Sequence, residues 1–286
     1  MSAIALLLAL TARSEYARPE PLVETDWLEV HLDDPALRIV DTRSTGYDQG
    51  HIPGAVWLDI DASRDKNHPP TYLPDLGGFV GKLEALGISS GTRVVFYDDR
   101  GGVNGTRPWV LLRMLGHENA ALLNGGYSKW KKEGRRTTND APAYPRGKLT
   151  VKEDRSWIAT AEDVAASIGK EGIRIVDTRT EEEIAGSDLR GNPRGGAVPT
   201  STPIYWEDTL DASTKTIKPA SELRALFQAH GLEPEAKIIT YCQAGGRAAH
   251  ELFVLYLMGY DDLRLYLGSW EDWSRNQELP LASPRK

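Results

Sequence analysis

The sequence is poor in cysteine and has no excess of basic residues. Its 286 residues include one cysteine, Cys242, which excludes an intramolecular disulfide bond and a multi-cysteine metal site. Because 41 acidic residues outnumber 34 basic ones, the net charge is -7. This balance argues against nucleic acid as a partner, since such binders usually carry a basic excess. The six histidines show no ligand spacing, so we expect no metal site and no cofactor.

Long hydrophobic runs are also missing. The longest candidate, residues 3–10, is too short to cross a bilayer and follows no basic residue. We therefore expect residues 1–18 to form an N-terminal extension of a cytoplasmic protein that does not bind membranes. The alternative is a periplasmic protein in which residues 1–12 are an export signal.

The chain contains an internal repeat, which is its strongest organising signal. The sequence RIVDTR occurs at residues 38–43 and again at 174–179. Further on, VVFYD at 94–98 corresponds to IITYC at 238–242, and LNGGYSKW at 123–130 to YLGSWEDW at 266–273. We therefore predict two copies of one domain, at residues 19–136 and 155–286. The segment 137–154, rich in Pro, Thr, Gly and charge, is the predicted linker.

Within each copy, short apolar runs alternate with helical stretches, which predicts an α/β fold. Runs at residues 38–41, 93–97, 174–177 and 237–241 read as buried strands. Thr25 and Thr160 are the expected N-caps of a helix that precedes the first strand of each copy. The alternation favours a mostly parallel sheet with helices on both faces in each domain.

Cys242 directly follows a predicted strand and precedes a predicted helix. Ligands of parallel α/β sheets bind at the carboxyl ends of strands, and the amides that open a helix favour an anion. A thiol there loses its proton more easily than a free one. Gly245 and Gly246 permit turns that direct amides inward, and Arg247 adds a positive charge. The loop is therefore predicted to hold a thiolate, with Gln243, Ala244, Gly245, Gly246 and Arg247 as substrate-binding residues.

These motifs resemble those of the rhodanese family over nearly the whole chain. Residues 242–247, CQAGGR, are similar to the C-x-x-G-x-[RT] active loop. Residues 50–55, GHIPGA, match a second family signature, and residues 123–130 match L-N-G-G-x-x-x-W. The resemblance implies two rhodanese-like domains, of which the first is inactive because Asp98 replaces the cysteine. It also implies that Cys242 takes sulfur from a small-molecule donor as a persulfide and passes it to a thiophilic acceptor.

The match is incomplete at two positions. In the second copy, residues 194–199 stand where G-H-I-P-G-A is expected, so its histidine is missing. Family members often carry an arginine four residues after the D-x-R arginine, and here that position is Glu183. Arg190 or Arg194 could replace it as the partner of the substrate anion. A two-domain chain already supplies both domains of the resembled family, so we expect a monomer.

The resemblance predicts a thiosulfate sulfurtransferase that delivers sulfur to cyanide or a thiol. The loop lacks the serine of the mercaptopyruvate branch, because Ala244 occupies that position. A 3-mercaptopyruvate sulfurtransferase remains an alternative, as does a non-catalytic binding module. Phosphatases and arsenate reductases of the same fold carry a loop that resembles C-x5-R, which is one residue longer than the C-x4-R loop from Cys242 to Arg247. The shorter loop therefore favours sulfur transfer over these two activities.

Overall fold

The computed structural model describes residues 16–64 and 72–282. The predictions for residues 3–10 and for an export signal therefore lie outside the described residues. The described chain divides into two compact units. One contains Glu20–Trp157 together with Ala212–Thr216. The other contains residues 16–19, Ile158–Asp211 and residues 217–282.

The first unit is built on a parallel sheet of five strands in the order β1-β5-β4-β2-β3. Buried aliphatic and aromatic side chains line the central strands, as expected for a parallel sheet covered by helices. The core includes Ile39, Val95 and Trp130. The strands are β1 (Leu22–Val23), β2 (Leu37–Asp41), β3 (Ala55–Trp57), β4 (Arg93–Tyr97) and β5 (Ala120–Leu123). The helices are α1 (Thr25–Val30), α2 (Leu76–Ala85), α3 (Thr106–Met114) and α4 (Gly126–Lys132).

The second unit repeats this sheet with the order β6-β10-β9-β7-β8, again with every paired neighbour parallel. Its core includes Val164, Ile239 and Trp270. The strands are β6 (Ile158–Ala159), β7 (Ile173–Asp177), β8 (Thr202–Pro203), β9 (Lys237–Tyr241) and β10 (Leu263–Tyr266). The helices are α5 (Ala161–Ser167), α6 (Glu181–Ala185), α7 (Ala220–Ala229), α8 (Gly246–Leu257) and α9 (Ser269–Trp273). The predicted α/β class, with one sheet per copy, is confirmed.

The repeated RIVDTR segment has a structural role in both units. Arg43 and Arg179 each donate to the aspartate two residues earlier, and these four side chains are buried. The same arginines reach a glycine carbonyl at 2.8 Å, that of Gly50 and of Gly196 respectively. Such pairs are bidentate and charge-assisted, which fixes the chain beyond each strand.

These contacts correct the predicted register of the second copy. Gly196 matches Gly50, so Ala197 occupies the position of His51, and residues 196–201 replace the GHIPGA segment. The backbone agrees, because Gly54 and Thr200 both adopt positive φ, at 77° and 62°. The predicted alignment to residues 194–199 was wrong by two positions. The absence of the histidine from the second copy stands.

The predicted N-caps differ in outcome. Thr160 caps α5 in a capping box, because its side chain accepts from the Asp163 amide and Asp163 accepts from the Thr160 amide. Thr25 lies inside α1, whose N-cap is Glu24 without a side-chain bond. Its hydroxyl instead donates to Glu133 at 2.6 Å. Among the described residues, no helix is long and apolar enough to cross a membrane.

Candidate active site

Cys242 lies at the carboxyl end of β9, directly after Tyr241. Its side chain is buried, with 2% of the residue exposed. Its amide donates to the Ser269 hydroxyl at 3.1 Å, and its carbonyl accepts from the Trp270 amide at 2.9 Å. Ser269 has a φ of 54°, a conformation that is uncommon for a residue other than glycine. The backbone of the cysteine is therefore fixed from both sides by the start of α9.

The loop from Cys242 to Arg247, called here the thiol loop, turns back over the sulfur. Gly245 adopts a left-handed φ of 84°, which a glycine accepts without strain. This turn directs the Gly245 amide to the Cys242 Sγ atom at 3.1 Å. Helix α8 begins at Gly246, so its first amides also face the loop. The predicted strand–loop–helix arrangement around the thiol is what the structure contains.

The pKa of Cys242 is lowered below that of an ordinary thiol. Burial acts in the opposite direction and is the largest single influence, because it disfavours the charged form. The positive charge of Arg247 and hydrogen bonds from the amides of Ala248, Ala244 and Gly245 together outweigh it. The loop therefore favours the thiolate, which is the nucleophilic form of cysteine.

Arg247 is held by Glu183, a contact that the sequence analysis did not predict. Its Nη1 atom donates to Glu183 Oε2 at 2.6 Å and its Nη2 atom to Oε1 at 2.8 Å. The Glu183 side chain is 2% exposed and that of Arg247 is 16% exposed. Glu183, which stands where the family often carries an arginine, is thus the ion-pair partner of Arg247.

The two arginines predicted as anion partners have different positions. Arg190 is exposed. Burial raises the pKa of Glu183, but the hydrogen bonds and charge of Arg247 lower it overall, and the positive charge of Arg190 adds to this lowering. Arg194 donates through its guanidinium to four backbone carbonyls, those of Trp273, Ser274, Asn276 and Leu279. These bonds tie the guanidinium of Arg194 to the last residue of α9 and to the segment that follows it.

Gln243 contacts a second residue that the sequence analysis missed. Its side-chain amide and that of Asn192 exchange two hydrogen bonds. Asn192 is buried, and its Nδ2 atom also donates to the Leu189 carbonyl at 2.8 Å. Ala244 and Gly246 are partly exposed, whereas Gly245 is buried. Of the predicted residues, the structure therefore brings Cys242 and residues 243–247 together.

The first unit has a loop in the corresponding place, built around Asp98. One carboxylate oxygen accepts from the amides of Arg100 and Gly102, each at 2.8 Å, and the other from the Asn104 amide at 2.6 Å. Burial raises the pKa of Asp98, and these three bonds oppose the rise. The loop amides of this unit thus donate to the side-chain carboxylate of Asp98. We name residues 98–105 the Asp98 loop.

The fold and the thiol loop together define an α/β protein with an activated cysteine. Comparisons with known proteins identify its family. Residues 24–133 and 160–276 both match the rhodanese-like domain. The chain is 37% identical over 283 residues to "Sulfur carrier protein TtuD" of Thermus thermophilus, covering 93% of this chain and 98% of that one. It is 34% identical over 286 residues to "Thiosulfate sulfurtransferase" of Corynebacterium glutamicum, covering 95% and 93%.

A solved structure agrees with these sequence matches. The crystal structure of SseA from Escherichia coli, described as a 3-mercaptopyruvate sulfotransferase, has a TM-score of 0.76 and 27% identity. The match covers 87% of this chain and 98% of that one. The protein therefore belongs to the rhodanese family.

Proposed function

We propose that the protein is a sulfurtransferase in which Cys242 carries sulfur as a persulfide. The observation that carries the proposal is the geometry at the Cys242 Sγ atom, which accepts the Gly245 amide at 3.1 Å beside Arg247. A lowered thiol pKa supplies the nucleophile, and the surrounding donors suit an anionic sulfur. The relatives named as thiosulfate and 3-mercaptopyruvate sulfurtransferases support the same reaction class.

The reaction consists of two half-reactions. With thiosulfate as donor, the Cys242 thiolate attacks the outer sulfur, the sulfur–sulfur bond of thiosulfate breaks, and sulfite leaves with the bonding pair. The outer sulfur then carries the negative charge of the persulfide. Cyanide or a thiolate attacks that sulfur, and the Cys242 thiolate leaves with the bonding pair. The enzyme returns to its starting state, so ping-pong kinetics are expected.

We propose thiosulfate or a related sulfane donor for the first half-reaction, with small molecules as both partners and the monomer as the active form. Ala244 leaves the loop without the hydroxyl that the mercaptopyruvate branch carries at this position. The second candidate donor is 3-mercaptopyruvate, which the similarity to SseA favours. Sulfite and pyruvate release, measured in parallel with both donors, separates the two.

The persulfide itself can be tested by intact-mass measurement. Incubation with thiosulfate, followed by removal of excess donor, should add one sulfur atom to the protein, and cyanide should remove it. The variant Cys242→Ser should gain no sulfur and retain less than about 1% of the turnover, the loss expected for a missing nucleophile. A sulfur adduct on the serine variant would refute the assignment of Cys242.

A further inference from the structure

Glu183 compensates the positive charge that Arg247 contributes to the thiol loop. Both carboxylate oxygens of Glu183 accept from the guanidinium, and the carboxylate is almost fully shielded from water. Bidentate pairs of this kind are geometrically rigid. Arg247 therefore cannot turn its full charge toward an arriving anion without separating the buried Glu183 carboxylate from its charged partner, which is costly.

The charged groups at the thiol loop attract or repel an arriving sulfur donor. A Cys242 thiolate and the Glu183 carboxylate contribute two negative charges, and Arg247 contributes one positive charge. Arg190 is also near Glu183, but its side chain is exposed and its charge is screened by salt. Thiosulfate brings two further negative charges into a site whose buried groups already sum to one negative charge.

We propose that Glu183 sets the charge of the donor that this site accepts. By neutralising Arg247, it weakens the binding of a doubly charged donor relative to a donor with a single negative charge. Among the sulfane donors proposed above it therefore favours an organic persulfide over thiosulfate, and it also favours the second candidate class, a mercapto acid. The inference rests on the proposed sulfur transfer through Cys242. Glu183 is a positioning residue here, because it acts on the reacting sulfur through Arg247.

The variant Glu183→Gln removes the charge and should retain the local fold. Glu183 closes a capping box with Thr180, in which the Thr180 amide donates to its carboxylate at 3.1 Å and its own amide donates to the Thr180 hydroxyl at 3.3 Å. Glutamine serves the same position of a capping box. Its amide oxygen can also still accept a hydrogen bond from Arg247.

We expect Glu183→Gln to lower the KM for thiosulfate by about three- to tenfold, because one repulsive charge has been removed near a dianion. The KM for the singly charged 3-mercaptopyruvate should fall by a smaller factor, and kcat should change little for either donor. The pKa of Cys242 should fall further, because loss of a nearby negative charge favours the thiolate. Alkylation of Cys242 by iodoacetamide as a function of pH measures that change.

Two control variants separate charge from structure. Glu181→Gln removes a carboxylate that is exposed on the same helix, so it should leave both KM values unchanged. Thr180→Ala removes the capping hydroxyl without changing charge. If Thr180→Ala reproduces the effect of Glu183→Gln on KM and on the alkylation profile, the role of Glu183 is only structural and the proposal is wrong.

The dependence of KM on salt concentration tests the proposal on the wild-type protein. Salt screens repulsion between like charges, so added potassium chloride should lower the KM for thiosulfate. A site dominated by free cations would give the opposite dependence, which would overturn the proposal. It would also be overturned if Glu183→Gln changed neither KM nor the alkylation profile. If neither donor adds sulfur to the wild-type protein, the proposed function fails instead, and the alkylation profile still reports on Glu183.

Discussion

Asn192 and Gln243 are joined by two hydrogen bonds between their side-chain amides. Asn192 Nδ2 donates to Gln243 Oε1 at 2.8 Å, and Gln243 Nε2 donates to Asn192 Oδ1 at 3.1 Å. The pair connects the loop after α6 to the residue that follows the nucleophile. Gln243 is the donor to Asn192 Oδ1, so a change of Gln243 alone leaves a buried oxygen without this donor.

The first prediction concerns this pair. Gln243→Leu should lower the free energy of unfolding by about 1–2 kcal/mol, since the Oδ1 atom of the buried Asn192 loses its donor, whereas Nδ2 keeps the Leu189 carbonyl. The double variant Asn192→Leu, Gln243→Leu should lose less than the sum of the single changes, because both polar groups are removed together. Urea denaturation measures each loss. Gln228→Leu, on the exposed side of α7, is the matched control.

The second prediction concerns the source of the lowered pKa of Cys242. The double variant Glu183→Gln, Arg247→Gln should have a higher Cys242 pKa than Glu183→Gln alone, because the positive charge is lost without leaving a buried carboxylate. Iodoacetamide alkylation should therefore move to higher pH. Since Cys242 is the only cysteine, the rate reports on this thiol alone. An unchanged pH profile of alkylation would show that the loop amides lower the pKa of Cys242 without Arg247.

The third prediction concerns the Asp98 loop. Asp98→Ala leaves the amides of Arg100, Gly102 and Asn104 without their acceptor, so it should destabilise the protein by about 1–3 kcal/mol. Asp99→Ala, at the exposed neighbouring position, is the control and should be nearly neutral. Thermal unfolding measures both. Equal stability of the two variants would mean that the carboxylate does not hold this loop.

The fourth prediction concerns Glu251 in α8, which is fully buried. Within the part of the chain that the structure describes, neither of its carboxylate oxygens has a hydrogen-bond partner. Burial, aided by the charge of Asp208, raises its pKa well above the usual value. The folded protein then keeps a proton that the unfolded chain releases above a pKa of about 4.3, so stability falls as pH rises above that value.

Glu251→Met should remove this pH dependence. We expect the variant to gain about 1–3 kcal/mol over wild type at pH 8 and clearly less at pH 5, where less charge must be neutralised on folding. Urea denaturation at the two pH values gives the comparison. Glu222→Met, on the exposed side of α7, should show no such difference. A variant that is less stable than wild type at pH 8 would point to an ionised and satisfied carboxylate.

The sequence was sufficient for the fold, because the fold depends on patterns that are local. The predicted strands 93–97 and 237–241 coincide with β4 and β9, since each is an apolar, β-branched run that the core buries. The position of Cys242 at a strand end followed from the same pattern. The repeat then supplied the second sheet without further assumptions.

The contacts around the thiol loop could not be predicted in the same way. Glu183 and Asn192 are far from Cys242 in sequence, and their pairing depends on how the segment after β7 folds over the loop. The register of residues 196–201 was misjudged by two positions, although the spacing of Gly196 and Pro199 equals that of Gly50 and Pro53 and could have identified it. Arg194 was considered as a partner of the substrate anion because its four carbonyl acceptors belong to a segment that is distant in sequence.

The Asp98 loop has a consequence for how the two copies have diverged. A carboxylate oxygen of Asp98 is two bonds beyond Cβ, and so is the outer sulfur of a cysteine persulfide. The first copy thus has a permanent side-chain carboxylate at its loop. This carboxylate extends as far from Cβ as the persulfide that the second copy would carry only between its two half-reactions. An anion that cannot leave also cannot be replaced, so this copy keeps one group at its loop, whereas the proposed cycle of the second copy exchanges a thiolate for a longer persulfide of the same charge. An aspartate at this position is therefore compatible with retention of the loop, because its carboxylate accepts from three loop amides that would otherwise need another acceptor.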